Sequence, residues 1–172
     1  MTVAAVRVDA VDRVASRRKQ SISRIVSDRT GSWRIIRCVV TTTGNGIVTR
    51  RSPRSFRDTV SRVEQAARGS GAQLFGRVDH AANAKLAGLA MEPTELLIFG
   101  RPDASTPLIQ ERRTSALDLP LKILVWRDNQ DVWLTYNDIG YIALRHGATA
   151  VPNAVAAMHA WFDAVIEAAL EE

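Results

Sequence analysis

Arg101, Asp118, Lys122, Asn137 and His80 are the polar residues with the widest chemical scope, because each stands at an end of a segment that reads as a strand. Polar groups at strand ends can converge on a pocket mouth. A lysine that loses water has a lowered pKa and can serve as base or nucleophile, and an arginine fork suits a small anion. Asp118 and Lys122 are four residues apart. In one extended strand they would point the same way about 13 Å apart, too far for an ion pair unless Pro120 bends the chain. Lys122 meets Asn137 or Asp138 more easily. The same lysine running its stem along an apolar face to reach water needs no chemistry at all, and both readings stay open.

His80 follows Asp79 and is either a general base or a helix-start residue behind an Asp79 cap. The other histidines, His146 and His159, fall on separate predicted helices, and no pair has a zinc-ligand spacing. The expectation is no metal and no cofactor. The single cysteine, Cys38, permits no internal disulfide and agrees with a cytoplasmic setting.

The elements that position these residues follow from periodicity and punctuation. Ile47 to Arg50 reads as a strand stopped by Pro53, and Ser55 with Asp58 starts a helix with Phe56, Val60, Val63 and Ala67 on one face. Ala72 to Val78 is a strand, and Asp79 caps a short helix that stops at Gly88. The run Glu95 to Gly100 predicts a strand buried on both faces, and Thr106-Pro107 predicts a helix start. Leu121 to Arg127 and Val132 to Asn137 form a hairpin across four loop residues. If residue i pairs with 259 minus i, Trp126 faces Trp133, Leu124 faces Thr135, and Lys122 faces Asn137. Val125, Leu134, Ile123 and Tyr136 then share the opposite face. A short helix runs to Gly147, and Pro152 opens a last helix with Val155, Met158, Phe162 and Ile166 along one stripe. Its closing Glu171-Glu172 opposes the helix dipole and predicts fraying.

Charge divides the chain. Residues 1 to 62 carry 14 Lys/Arg against 4 Asp/Glu and the rest carry 9 against 14, so the net +5 resolves into +10 and −5. Val3 to Val14 has a weak helical spacing, and Thr41 to Gly46 reads as loop. Residues 1–45 are therefore expected to be a basic, flexible arm, or upstream sequence from a mis-assigned start, and 46–172 a single domain. No run is long and apolar enough for a membrane span.

Val78-Asp79-His80-Ala81-Ala82, Leu97-Ile98-Phe99-Gly100, Thr106-Pro107-Leu108, Leu117-Asp118-Leu119-Pro120-Leu121-Lys122, Trp133 to Asp138 and Arg145-His146-Gly147 stand in an order and spacing that resemble the domain-of-unknown-function 302 family. The resemblance covers about Ile47 to Gly147. It implies a small prokaryotic α+β domain, often homodimeric, and leaves activity open. Where that family has Phe-Gly-Asn-Pro, this chain has Phe99-Gly100-Arg101-Pro102, which shifts any ligand preference there toward an anion.

The fold expected is α+β, a two-layer sandwich with helices packed on one face of a mainly antiparallel sheet and a C-terminal helix. In such a fold, large apolar groups on the second face (Leu124, Trp126, Trp133 and Thr135 beside them) need a cover, which a second copy, an apolar ligand or the last helix would supply. The leading reading is a homodimeric domain, small-molecule-binding or structural, with an anionic ligand near Arg101, Lys122 and Asn137. The alternatives are an enzyme using Lys122 or His80 with Asp118, and nucleic-acid binding by the Arg-rich arm, which an acidic body disfavours.

Overall fold

In the computed structural model the backbone is described for residues 18–27, 33–42 and 44–171, and side chains for 44–171. The helix expected over Val3 to Val14 lies outside the described residues. The first strands are β1 (Arg18–Ser27) and β2 (Trp33–Thr42), followed by β3 (Ile47–Ser52) and helix α1 (Phe56–Gly69). Then come β4 (Gln73–Asp79), α2 (His80–Leu86), β5 (Thr94–Gly100) and α3 (Pro102–Glu111). A 3-10 turn over Arg113–Leu117 leads to β6 (Leu121–Asp128), β7 (Asp131–Asn137), α4 (Ile139–His146) and α5 (Pro152–Leu170).

Among the described residues the strands form one antiparallel sheet in the order β1-β2-β3-β7-β6-β5-β4. Thr41 and Thr42, expected as loop, pair with Thr49 and Val48, as β-branched residues readily do. The β6–β7 register is the one the alternation predicts, with Trp126 opposite Trp133 and Ile123 opposite Tyr136. The turn is tighter than expected: Asp128 pairs with Asp131, leaving two residues, and Asn129 takes the positive φ of 55° that asparagine tolerates.

Alternation also decides the layers. Val48, Leu97, Phe99, Leu121, Ile123, Val125, Val132 and Leu134 point to one face, where α1, α3, α4 and α5 add Val63, Leu108, Ile142, Met158, Phe162 and Ile166 to a continuous core. β5 is buried on that face only, since Leu96 and Ile98 on the other are half-exposed. A second helical layer would be needed to bury both. α3 begins earlier than Thr106-Pro107 suggests: Pro102 occupies the first turn, and the Thr106 hydroxyl donates to the Pro102 carbonyl at 2.6 Å. Pro107 thus lies inside the helix.

The C-terminus of α5, where fraying was expected, is held by arginines from β3, from α1 and from the loop between them. Arg54 donates to the Glu171 carbonyl at 2.6 Å and Arg62 to the Ala168 carbonyl at 3.2 Å, placing positive charge at the negative end of the dipole. Arg50 is buried and makes a two-pronged bond to Glu167 at 2.7 and 3.3 Å. Removing one partner of such a pair is costly, but Glu167 keeps 39% of its side chain in water, so Arg50→Ala is expected to cost about 2–3 kcal/mol. Urea denaturation followed by circular dichroism measures it. A loss under about 0.5 kcal/mol would show that this pair does not tie α5 to the sheet.

Candidate functional site

Antiparallel pairing places four of the five polar residues singled out above at one end of the sheet. Gly100, next to Arg101, pairs with Gln73, and Ile98 pairs with Lys122, while Asn137 ends β7 opposite Ile47. His80 does not join them. It follows Asp79, which pairs with Glu95 at the far end of β4, about 20 Å along the strand from Gln73. Asp79 itself caps α2, accepting from Ala82 N at 2.8 Å.

At the shared end Asp118 is not in the strand; it closes the 3-10 turn. Lys122 therefore reaches it by another route, donating through Nζ to the main-chain carbonyls of Asp118 and Pro120, each at 3.1 Å. Burial holds the Lys122 ammonium below its ordinary pKa, with the Asp118 charge opposing. The Asp118 carboxylate faces elsewhere, toward Arg145 Nη1 at 3.1 Å and His146 Nε2 at 2.8 Å. The second ring nitrogen of His146 lies 3.1 Å from the Thr114 hydroxyl. Arg101 pairs with Asp103 two residues on, at 2.5 Å.

A cleft of about 150 Å³ opens beside Asn137, on the helix side of the sheet end. Its floor is Val48, Ile139 and Phe162, and its rim carries Asp138, His159 and Asp163. His159 bridges the two carboxylates, 3.3 Å from Asp138 and 3.0 Å from Asp163. Asp138 also caps α4 by accepting from Tyr141 N at 2.7 Å. Tyr136 lines the same cleft, and burial pushes its phenol up to about 12, with Arg50 opposing. The i, i+4 spacing of His159 and Asp163 was legible as one helix face, but their meeting with Asp138 needs the tertiary fold. Among the described residues no group of three His, Cys, Asp or Glu is placed to hold a metal ion.

The sheet face opposite the core carries the tryptophan pair. Trp126 and Trp133 stack with centroids 6.1 Å apart and planes 24° apart, flanked by half-exposed Leu124, Leu96 and Ile98. Trp126 Nε1 donates to Thr135 Oγ1 at 2.8 Å, and Thr135 Oγ1 lies 3.0 Å from Thr49 Oγ1. Trp126 Nε1, Thr135 Oγ1 and Thr49 Oγ1 are thus paired with one another, so covering these three atoms incurs little desolvation penalty. Phe75, at the irregularity between Leu74 and Gly76, is half exposed beside Gly100.

An antiparallel sheet covered by helices on one face, with polar groups gathered at one end, defines a two-layer α+β domain. The chain belongs to the family described as Domain of unknown function DUF302, whose model matches residues 48–169. A crystal structure of an uncharacterized conserved DUF302 protein from Bacillus stearothermophilus superposes with a TM-score of 0.66 at 15% identity, covering 72% of this chain and 98% of that one. That likeness is one of fold. The chain is also 48% identical over 103 residues to fluoride-specific ion channel FluC 1 of Brucella suis biovar 1 and, to the same extent, to FluC 2 of Brucella melitensis biotype 1. The match takes in 59% of this chain but only 41% and 38% of those proteins, so the chain spans about two-fifths of the curated relatives it matches. Among the described residues no helix is long and apolar enough to cross a membrane.

Proposed function

We propose that this protein is a homodimeric binding domain that self-associates through the sheet face opposite its core. The observation that carries the proposal is the stacked Trp126–Trp133 pair set among Leu96, Ile98 and Leu124, with the Trp126 indole bonded to Thr135 within the face. Such a surface is suited to burial against protein rather than to a polar ligand. Leu89, 67% exposed, and Met91, 52% exposed, lie in the α2–β5 connection that leads to Thr94, opposite Trp126.

A second copy is the occupant the charges favour. Lys122 stands at one end of the uncovered face of β6, and Asp128 at the other. A two-fold axis lying across the strands sets the basic end of one copy over the acidic end of its partner, which makes the face self-complementary. The small-ligand part of the reading moves to the cleft beside Asn137. Arg101 and Lys122 already hold Asp103 and two main-chain carbonyls, which an anion would have to displace. The domain acts in the cytoplasm in this reading, and the portion it shares with the channel relatives is a pairing module. Nucleic-acid binding by the arm rests on side chains outside residues 44–171.

The test is sedimentation of Trp126→Glu and Ile98→Glu variants beside the wild-type chain. Each carboxylate at the centre of the interface should weaken the dimer by about 2 kcal/mol or more and give a monomer with an unchanged circular-dichroism spectrum. Variants that sediment like the wild type would overturn the interface.

A further inference from the structure

The sheet-end cluster contains an arrangement that pairing of two copies does not use. Thr114 is exposed, while His146 and Asp118 behind it show only 7% and 14% of their side chains to water. The hydrogen bonds run in a line: Thr114 Oγ1 to His146 Nδ1 at 3.1 Å, then His146 Nε2 to Asp118 Oδ2 at 2.8 Å. With the imidazole neutral and its proton on Nε2, donated to the carboxylate, Nδ1 presents a lone pair to the threonine hydroxyl. Arg145 engages both oxygens of Asp118, at 3.1 and 3.3 Å, and fixes the carboxylate from its outer side.

The scaffold supports the line. Thr114 belongs to the 3-10 turn that Asp118 closes, and His146 is the last residue of α4 before Gly147, whose φ of 67° ends the helix. Arg112 Nε donates to the Gly147 carbonyl at 2.9 Å, which ties the two elements together. Arg112, Arg113 and Arg145 are exposed and precede or join the three residues of the line, so an anionic substrate is favoured there.

We propose that Thr114 is the nucleophile of an esterase site, with His146 as its general base and Asp118 as the residue that positions the imidazole, acting on small carboxylate-bearing esters. Thr114 Oγ1 bonds to the acyl carbon as its proton passes to His146 Nδ1. The ester C–O bond breaks, and that proton leaves with the alcohol. Water, deprotonated by the same nitrogen, then cleaves the acyl-threonine to the carboxylic acid and restores the hydroxyl. The order of the ring nitrogens is the reverse of the familiar serine-protease arrangement, in which the nucleophile meets Nε2. The line of hydroxyl, imidazole and carboxylate is kept, and the site is independent of dimerisation.

The experiment uses the full chain with 4-nitrophenyl hydrogen succinate and, for comparison, 4-nitrophenyl acetate. The wild type should release nitrophenolate above the buffer rate, prefer the succinate, and carry a succinyl group on the peptide containing Thr114 in mass spectrometry of quenched protein. Thr114→Val, at an exposed position, and His146→Gln should each lose roughly a hundredfold or more in kcat/KM, with Thr114→Ser retaining activity. Asp118→Asn should lower kcat with KM little changed, because the imidazole loses the carboxylate that orients it, and Asp118→Glu should recover part of the loss. The charged groups around the ring are Asp118 itself, Arg145 from α4, Arg112 before the turn, and Lys122 of β6 through the Asp118 carbonyl. No hydrolysis above buffer, an acyl group on another residue, or equal rates for Thr114→Val and wild type would each overturn the assignment.

Discussion

Phe99→Ala is expected to lower the free energy of unfolding by about 3–5 kcal/mol. Phe99 is fully buried at the end of β5, its ring edge-on to Trp161 at 6.4 Å and tilted against Phe162 at 6.1 Å. Both partners belong to α5, so the ring is where the C-terminal helix is pinned to the sheet. Alanine leaves a cavity walled by strand and helix, neither free to collapse into it, and the aromatic contacts go with the ring. Domains of this size have only about 5–15 kcal/mol to lose. The urea midpoint should therefore fall steeply, while Phe99→Leu, which keeps most of the volume, should cost far less. A loss under about 1 kcal/mol for alanine would mean that α5 is held by its arginine-bound end and not by the core.

Gly46→Ala is expected to cost about 2–4 kcal/mol, combining left-handed backbone strain with overpacking. Gly46 precedes β3 with φ 76°, and a Cβ there would stand 2.1 Å from Tyr141 Cγ and 2.3 Å from Cδ1. Its carbonyl accepts from Asp138 N at 2.8 Å, and Asp138 in turn caps α4 and borders the cleft. The glycine thus lets the chain press against Tyr141 while its carbonyl holds Asp138 at the edge of that cleft. Thermal or urea denaturation measures the loss. Adding Tyr141→Ala should recover the steric part and leave the backbone part, so a double variant no more stable than Gly46→Ala would contradict this division.

What was legible in the sequence was whatever depends on neighbours along the chain. Ser55 and Asp79 cap their helices as read, because side chain and amide are three residues apart. The β6–β7 register followed from alternation, and the uncovered tryptophan pair followed from the register. The layer arrangement was legible for the same reason. Errors arose where two local signals competed. Thr106-Pro107 reads as a helix start, but Pro102, five residues before Pro107, offers the same signal and takes the first turn. The β6–β7 loop was overestimated because Asp128 and Asp131 are poor strand residues, yet they still pair at its mouth.

The sheet-end cluster was only half legible. Asp118 and Lys122 were singled out together, but through side chains in one strand, whereas the lysine reaches the Asp118 carbonyl. His80 was placed with them because strand ends look alike in sequence, and only the pairing of β4 with β5 shows that it lies at the wrong end. Thr114 carried no signal, since its histidine partner is 32 residues away. The same holds for the arginines that bind the end of α5: Arg62 and Ala168 are 106 residues apart, so nothing local announces that the helix end is neutralised.

Whether the uncovered sheet face joins two copies shows in the mass of the wild-type chain in sedimentation velocity across the micromolar range. A single species of twice the 18.9 kDa chain mass is expected, dissociating only on dilution. A species of 18.9 kDa throughout that range would contradict it and leave the Trp126–Trp133 face without the partner proposed for it.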